Sequence, residues 1–440
     1  MTRQPRAWRT APVRPGRLDR NPHPLTLPAF WLVSALLLAG AVRIGLVWRA
    51  GIERFPVATT VAVLVFALYA VPFWSALASL DYLEREPAPL LAAAFAWGGL
   101  VATSLAFAGT PAAHNLLAKL ASPGFAAAWG PAVAGATVEE IAKVLGVWAI
   151  LLLAADRVNS VLDGFIFGAL VGLGFQVVEN VVYAIGAVAL SGRGDQVDPV
   201  VTTLLLRGLL GGLWSHTLFT GLAGAGIGYL VVRRQRPLAV RLLTAGAGVA
   251  GGWLAHFVWN TPLWVDGSGP DGWGLLAVLV LKGAPALVVL VLVVRAAHRR
   301  QADYYLGQLA DLGDRRVVTD AELTVLGSGP LRAEARRQAA RHAGHRAARA
   351  VRRLQAAQAR LAVALSRAAV AGPHSDRADA EVSHWHRETL AQRERLAACG
   401  HPEAAAVDVR RARLRRWAGT AAGLAALGAM WWAIRALHPS

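Results

Sequence analysis

The sequence predicts an all-α membrane protein: a polytopic transmembrane helix bundle of about eight spans, or nine if the C-terminal segment also crosses, with a helical cytoplasmic tail. Hydrophobic residues make up 55% of the 440-residue chain and charged residues only 16%, too few to cover a soluble protein of this length. Several apolar stretches reach about 20 residues, enough to cross a bilayer as a helix. The long alternating segments of a membrane β-barrel are not evident.

Eight apolar segments are the predicted spans, and basic residues near their ends set the orientation. The segments are 28–48, 57–80, 88–108, 126–154, 161–190, 203–232, 243–264 and 273–295. Six arginines precede residue 21, and three more follow the eighth segment between residues 295 and 300. Because basic loops stay in the cytoplasm, we expect a multi-pass protein of the cell membrane whose N-terminus is cytoplasmic. The stretch "DYLEREP" at 81–87 fits less well, since this orientation places it inside although it is net acidic.

The chain divides into four predicted regions by composition. They are a basic cytoplasmic N-terminal tail at 1–27, a transmembrane bundle at 28–296, an Arg/Ala-rich cytoplasmic helical region at 297–416, and a ninth span or interfacial helix at 417–440. The net charge of +18 is explained by arginines beside the spans, so we expect no nucleic-acid partner. The single cysteine, Cys399, excludes an internal disulfide and a cysteine-rich metal site.

Ionisable residues inside the spans mark the functional candidates. Each costs about 2.5–3.5 kcal/mol at the centre of a membrane helix, so it persists where it faces other helices and has a role. The candidates are Glu139, Glu140 and Lys143 in the fourth segment, Glu179 and Asn180 in the fifth, His216 in the sixth, and His256 and Asn260 in the seventh. With a rise of about 1.5 Å per residue, the main acids and histidines lie roughly 20–27 Å from the cytoplasmic ends of their helices. Four helices therefore carry polar groups at one level, in the outer half of the bilayer.

This set of side chains is typical of water activation. Carboxylates with histidines act on water as general bases or through a bound metal, and an amide can hold a developing oxyanion. Hydrolysis of a peptide bond inside the membrane fits all of these parts. Two alternatives remain: a proton- or ion-coupled transporter, which uses the same residue types, and a non-catalytic membrane scaffold. Paired halves with interrupted helices, which transporters often show, are not evident in the sequence.

At these residues the sequence resembles the PrsW family of intramembrane proteases, which is related to the type II CAAX prenyl endopeptidases and the Abi proteins. Four motifs carry the resemblance, in the family's order and each on its own span. They stand here as Glu139-Glu140-Ile-Ala-Lys143, Phe175-Gln-Val-Val-Glu179-Asn180, His216 followed by Gly221, and His256-Phe-Val-Trp-Asn260. The resemblance covers roughly residues 60–295 and does not extend to the polar tail.

The resemblance implies a membrane endopeptidase in which Glu140 or Glu139 activates water. The catalytic set that it implies is Glu139, Glu140, Lys143, Glu179, His216, His256 and Asn260. The family's namesake cleaves a membrane-anchored anti-sigma factor in a signalling cascade, so the expected partners are a single-span membrane protein substrate and the lipid bilayer. The family is often labelled metalloprotease, whereas relatives are described as glutamate-dependent, and the sequence does not decide between the two. If a metal is bound, zinc is the expected cofactor and His216, His256 and Glu179 its expected ligands.

Three further residues are expected to bind substrate or support the site: Phe175, Asn180 and Arg207. Arg207 lies near the outer end of the sixth segment, where it either extends its guanidinium to the membrane surface or pairs with a site carboxylate. The first alternative is the favoured one. Asp163, close to the start of the fifth segment, is expected to cap that helix.

Overall fold

The structure is a computed structural model, and it describes residues 24–80, 82–84, 86–154, 158–212, 215–263, 273–371 and 376–437. In these residues all regular structure is helical, so the predicted all-α class is confirmed. The bundle consists of α1 (Pro28–Arg54), α2 (Pro56–Leu80), α3 (Ala88–Leu120), α4 (Pro123–Gly130), α5 (Ala136–Ala154), α6 (Val161–Ser191), α7 (Asp198–Thr203), α8 (His216–Val232), α9 (Leu238–Asn260) and α10 (Trp273–Ala310). The tail consists of α11 (Asp320–Leu326), α12 (Gly329–Ala371), α13 (Asp376–Ala398) and α14 (Val409–Leu437).

Six of the described helices are long and apolar enough to cross a membrane: α1, α2, α3, α6, α9 and α10. Two more predicted spans correspond to α5, which carries three charged residues, and to α8, which is apolar but only 17 residues long. The chain is therefore a multi-pass membrane protein. The C-terminal helix α14 is not among the six, and its placement across or along the membrane stays a prediction.

The sixth predicted segment differs from expectation, because the structure interrupts it. A π-helical turn, Leu204–Leu210, follows α7, Gly211 and Ser215 lie outside regular helix, and α8 begins at His216. Gly211 and Gly212 lie in the interruption, and a Cβ atom on Gly212 would approach the Tyr69 hydroxyl to 2.2 Å. Glycine thus allows the chain to pass Tyr69 at a point where a continuous helix was expected. His216 becomes the first residue of α8.

Helix α6 is the centre of the bundle, and glycines bring α8 into close contact with it. Added Cβ atoms would lie 2.3 Å from the Thr220 carbonyl oxygen at Gly168 and 2.2 Å from the His216 carbonyl oxygen at Gly172. Small residues at one-turn spacing allow two membrane helices to approach this closely. The crossing places the start of α8 against the half of α6 that carries Glu179.

The first turn of α6 is closed by a capping box, which corrects one expectation. Ser160 is the N-cap, and its hydroxyl accepts a hydrogen bond from the Asp163 amide at 3.1 Å. The Asp163 carboxylate accepts one in return from the Ser160 amide at 2.8 Å. Asp163 is therefore the third helical residue and not the cap itself.

The acidic loop between α2 and α3 is held by the C-terminal tail. Leu83 is 6% exposed and packs in an apolar cluster of tail residues that includes Tyr305. The Glu84 carboxylate accepts hydrogen bonds from Tyr305, from Asn159 at 3.1 Å and from Arg367 at 3.4 Å. The acidic Glu84 of this loop thus has a basic partner, Arg367, in the tail. Helix α10 runs without a break across the predicted boundary at 296/297.

Candidate active site

Lys143 lies at the centre of the polar cluster, and its side chain is fully buried. Its ammonium nitrogen is 3.2 Å from Glu139 Oε2, 2.9 Å from Glu140 Oε1 and 2.8 Å from His216 Nδ1. The ammonium also lies 3.9 Å from the centre of the Phe175 ring, a cation–π contact. Three acceptors and one aromatic face therefore share a single buried cation.

Glu140 is fully engaged by its neighbours. Its Oε1 atom accepts from Lys143 and lies 2.9 Å from His256 Nδ1, while its Oε2 atom accepts from the Thr220 hydroxyl at 3.2 Å. The side chain is 4% exposed. Since Nδ1 of His256 faces this carboxylate, the hydrogen bond fixes the orientation of the ring and directs Nε2 toward the rest of the cluster.

Glu179 and His216 form the second half of the cluster. His216 Nε2 lies 3.0 Å from Glu179 Oε2, and the same oxygen accepts from Arg207 Nη2 at 2.6 Å. Arg207 Nε also donates to Asn180 Oδ1 at 3.2 Å, and its guanidinium stacks over the Tyr183 ring. Arg207 therefore pairs with a site carboxylate, and the favoured expectation of surface snorkelling is wrong.

Glu139 faces the gap between the two imidazoles. Its Oε2 atom is 3.9 Å from His216 Nδ1 and 3.8 Å from His256 Nε2. The other ring nitrogens of both histidines face carboxylates, Glu179 and Glu140 respectively. Glu139 is the less engaged acid of the adjacent pair, and its side chain is 11% exposed. His256 Nε2, His216 Nδ1 and this oxygen therefore converge on one point, which the Lys143 ammonium also borders.

The structure brings six of the seven expected catalytic residues into mutual contact and gives Asn260 a different partner. The Asn260 side-chain amide donates to the Pro131 carbonyl at 3.2 Å, one helical turn beyond His256 on α9. Pro131 opens a π-helical turn, Pro131–Gly135, that leads directly into α5. Asn260 thus connects the end of α9 to the segment that positions Glu139.

Two of the expected supporting residues, Phe175 and Asn180, are buried in the protein. Phe175 is 1% exposed and packs edge-on against His216, with ring centres 4.9 Å apart. Asn180 is also buried, and its Nδ2 atom has no hydrogen-bond partner among the described residues. The Ser215 hydroxyl beside His216 is in the same state. Buried polar atoms without partners are rare, so two of them next to one cluster indicate a place that water or substrate reaches.

Sequence reasoning missed several residues of the site. Thr220, which binds Glu140, follows His216 by four residues, and Tyr183, which stacks with Arg207, follows Glu179 by four. Residues four apart share one helix face, so this spacing was the available signal. Phe219, whose ring stacks on His256 at 5.0 Å, offered no comparable signal, because an apolar residue in a span is unremarkable in sequence.

The donor set fits a divalent metal ion, although with a different carboxylate from the one expected. Glu139, His216 and His256 each offer one ligand atom within 4.8 Å of the others, whereas Glu179 pairs with Arg207. Each histidine has its remaining ring nitrogen on a carboxylate, the arrangement that usually orients metal-binding imidazoles. Lys143 lies against two of the three ligands, so the ammonium and a metal ion would be close neighbours.

Three carboxylates, two imidazoles and two cations enclosed by four helices define a membrane-embedded enzyme able to activate water. Residues 86–295, just under half of the chain, match the family model of the PrsW family intramembrane metalloproteases. This part of the chain is a PrsW family intramembrane protease domain, and the protein is an intramembrane endopeptidase that acts on a membrane-embedded substrate. No curated protein and no solved structure matches the chain.

Proposed function

We propose that the protein cleaves a peptide bond in a single-span membrane protein, with a water molecule activated by Glu139. The position of Glu139 carries the proposal. Its Oε2 atom lies within 3.9 Å of one nitrogen on each histidine and has Lys143 as its hydrogen-bond donor, whereas the two oxygens of Glu140 are engaged by three side chains, Lys143, His256 and Thr220. A water molecule bound in this gap would reach the general base and Nε2 of His256 at hydrogen-bond distance.

The other residues orient or neutralise these groups. Glu140 holds His256 so that Nε2 of this ring faces the water, and Glu179 holds His216 so that Nδ1 of that ring faces Lys143 and Glu139. Lys143 offsets the charge of the two adjacent glutamates, and Arg207 does the same for Glu179. Asn180 has an Nδ2 group without a partner among the described residues, which makes it a donor for the developing oxyanion. Asn260 acts at a distance, through the Pro131 carbonyl.

Zinc is the proposed metal, and Glu139, His216 and His256 are its proposed ligands; with zinc bound, one oxygen of Glu139 would hold the metal and the other would remain to accept the proton of the water. The family's description as metalloproteases and the spacing of the three ligand atoms support this assignment. A bound zinc ion would supply Lewis acidity and favour ionisation of the attacking water. The substrate proposal, a single-span protein of the cell membrane cut near the outer leaflet, rests on the depth of the cluster and on a cytoplasmic N-terminus.

The experiment compares wild-type protein with Glu139→Gln and Glu53→Gln in membranes of one expression host. Glu53 is an exposed carboxylate on α1, so its variant is the matched control. Newly formed N-termini of membrane proteins are quantified by mass spectrometry. We expect new termini close to outer-leaflet positions of single-span proteins with wild type and Glu53→Gln, and a loss of at least about a hundredfold with Glu139→Gln.

The same fragments at an unchanged rate in folded Glu139→Gln would refute the assigned base. Elemental analysis of purified wild-type protein tests the metal separately, since about one zinc per chain is expected and this should fall in His256→Ala. A protein that binds zinc normally but yields no fragments in any membrane would refute proteolysis and leave the metal assignment standing.

A further inference from the structure

The tail contains a basic cleft between α12 and α13 that the protease chemistry does not use. Its volume is about 300 Å³, and all of its lining residues belong to the tail. Cavities of roughly this size and above hold small organic ligands. We refer to it as the tail cleft; its polar and aromatic lining is Arg353, Arg360, Trp385, Glu388, Gln392 and Arg395.

The charge of the tail cleft is not balanced. Three arginines line it against one carboxylate, a formal charge of +2 (three minus one), and none of the three forms an ion pair among the described residues. Other arginines of the tail form ion pairs: Arg393 with Glu322, and Arg341 with Glu334. A concave surface that collects unpaired guanidinium groups favours an anion with several acceptor oxygens.

An aromatic platform lies beside these charges. The Arg360 guanidinium is 4.6 Å from the centre of the Trp385 ring, and Trp385 packs against the apolar cluster that contains Leu83. This apolar packing fixes the position of the Trp385 ring. Tryptophan and arginine planes are the surfaces on which nucleobases stack in proteins.

A buried acceptor in the same cleft points to a ligand with a hydrogen-bond donor. Gln392 is 2% exposed, and its amide nitrogen donates to Glu388 at 2.6 Å. That bond sets the orientation of the amide, and Gln392 Oε1 has no partner among the described residues. A buried carbonyl oxygen without a partner is costly, so a donor on a bound molecule would complete it.

We propose that the tail cleft binds a nucleotide whose base carries an exocyclic amino group. The guanidinium groups of Arg353 and Arg395 take the phosphates, the base stacks against Arg360 and Trp385, and its amino group donates to Gln392. Helix α12 also holds the loop 82–84 through Arg367, so the ligand lies on a helix that joins the tail to the protease domain. Binding here does not depend on the proposed catalytic mechanism.

The test measures binding of fluorescently labelled ATP to the full-length protein in neutral lipid nanodiscs, by anisotropy with competition. Unlabelled ATP, ITP and inorganic triphosphate are the competitors. ITP replaces the adenine amino group with a carbonyl, so it should bind about tenfold more weakly than ATP, the value of one hydrogen bond to a buried group. Triphosphate alone should compete more weakly than either.

Arg353→Ala, Gln392→Leu and the control Arg352→Ala complete the design, with circular dichroism to confirm folding. Arg352 is the exposed neighbour of Arg353 and does not line the cleft. We expect a loss of about tenfold or more in Arg353→Ala, since bonds to charged groups are the strong ones, and no loss in Arg352→Ala. Gln392→Leu should bind ATP and ITP equally.

Three results would overturn the proposal. Equal competition by triphosphate and ATP would show a site for any polyanion, and an equal loss in both arginine variants would show attraction by the whole basic tail. Competition by anionic phospholipid vesicles or by an acidic peptide, but not by ATP, would assign the cleft to a different ligand.

Discussion

Replacing Lys143 with methionine removes the cation around which the candidate active site is organised. Methionine keeps the length of the side chain and deletes the ammonium. The two adjacent glutamates, 3.2 and 2.9 Å from that ammonium, would then face each other without a counter-charge, and His216 Nδ1 would lose its donor. We expect a folded but less stable protein that no longer cleaves substrate.

The size of the effect follows from the geometry of the two ion pairs. At about 3 Å and an effective dielectric constant near 20, each is worth roughly 5 kcal/mol of Coulomb energy, most of which is offset by the desolvation of buried charges. Removing one partner of such a group costs about 3–5 kcal/mol, because the remaining charge stays buried. For a domain of this size, 1 kcal/mol lowers the melting temperature by about 2–4 °C, so the expected decrease is roughly 6–20 °C.

The assay is thermal unfolding in one detergent, followed by circular dichroism, with Lys119→Met as the control. Lys119 is exposed at the end of α3, so its variant should melt within about 2 °C of wild type. Added zinc should raise the melting temperature of Lys143→Met more than that of wild type, since the metal ion would restore positive charge beside Glu139. A Lys143→Met protein as stable as wild type would refute the buried charge network.

Three further predictions address packing, pH and the tail. Gly172→Val should abolish cleavage and lower the melting temperature, because the added Cβ would lie 2.2 Å from the His216 carbonyl oxygen. Gly186→Ala, on the same helix, should leave cleavage and melting temperature unchanged, because a Cβ there would have no atom within 4 Å. If both variants were tolerated equally, the helix crossing would be contradicted. Burial alone would raise the pKa of Glu334, but hydrogen bonds from two arginines outweigh it and lower that pKa below its ordinary value. The ionised Glu334 therefore contributes its full stability above about pH 4.3, and this contribution is lost as the pH falls through the lowered pKa. The stability of the tail should depend less steeply on acidic pH in Glu334→Gln. An identical pH profile for the two proteins would contradict this. Glu84→Gln should speed hydrogen exchange in 297–416 at neutral pH, because the loop loses its charged hydrogen bond to the tail, whereas an unchanged exchange rate would show that apolar packing alone holds the loop.

The sequence was sufficient to identify the class of fold, and it predicted most residues of the candidate site, because both depend on residue types that can be recognised in the sequence. An ionisable residue in a span is expensive, so Glu139, Lys143 and Glu179 stand out, and span lengths place them at one depth. Which partner such a residue pairs with cannot be recognised from the sequence. Whether Arg207 reaches the surface or Glu179 depends on the rotation of its π-helical turn, which an apolar segment does not specify.

The difference between Glu139 and Glu140 was also outside the reach of sequence reasoning. Adjacent residues on a helix point about 100° apart, so only one of them can face a given neighbour. Which glutamate faces α8 depends on where α8 crosses α6, and Gly168 and Gly172 of α6 allow that crossing. The crossing brings Thr220 of α8 to Glu140. The engaged acid becomes an orienting group, and the less engaged Glu139 is left to face the histidines.

The interruption before His216 places irregular backbone beside the candidate active site. Irregular backbone within a membrane is tolerated where it is buried in protein or lines a wet cavity, because lipid cannot satisfy its polar groups. The interruption lies beside the cluster, and its Ser215 hydroxyl has no partner among the described residues. Hydrolysis requires water at the same point. Gly211 and Ser215, which lie outside regular helix, thus place irregular backbone and a buried hydroxyl beside the cluster where the proposed chemistry needs water, so the break is better understood as part of the chemistry than as a defect of the fold.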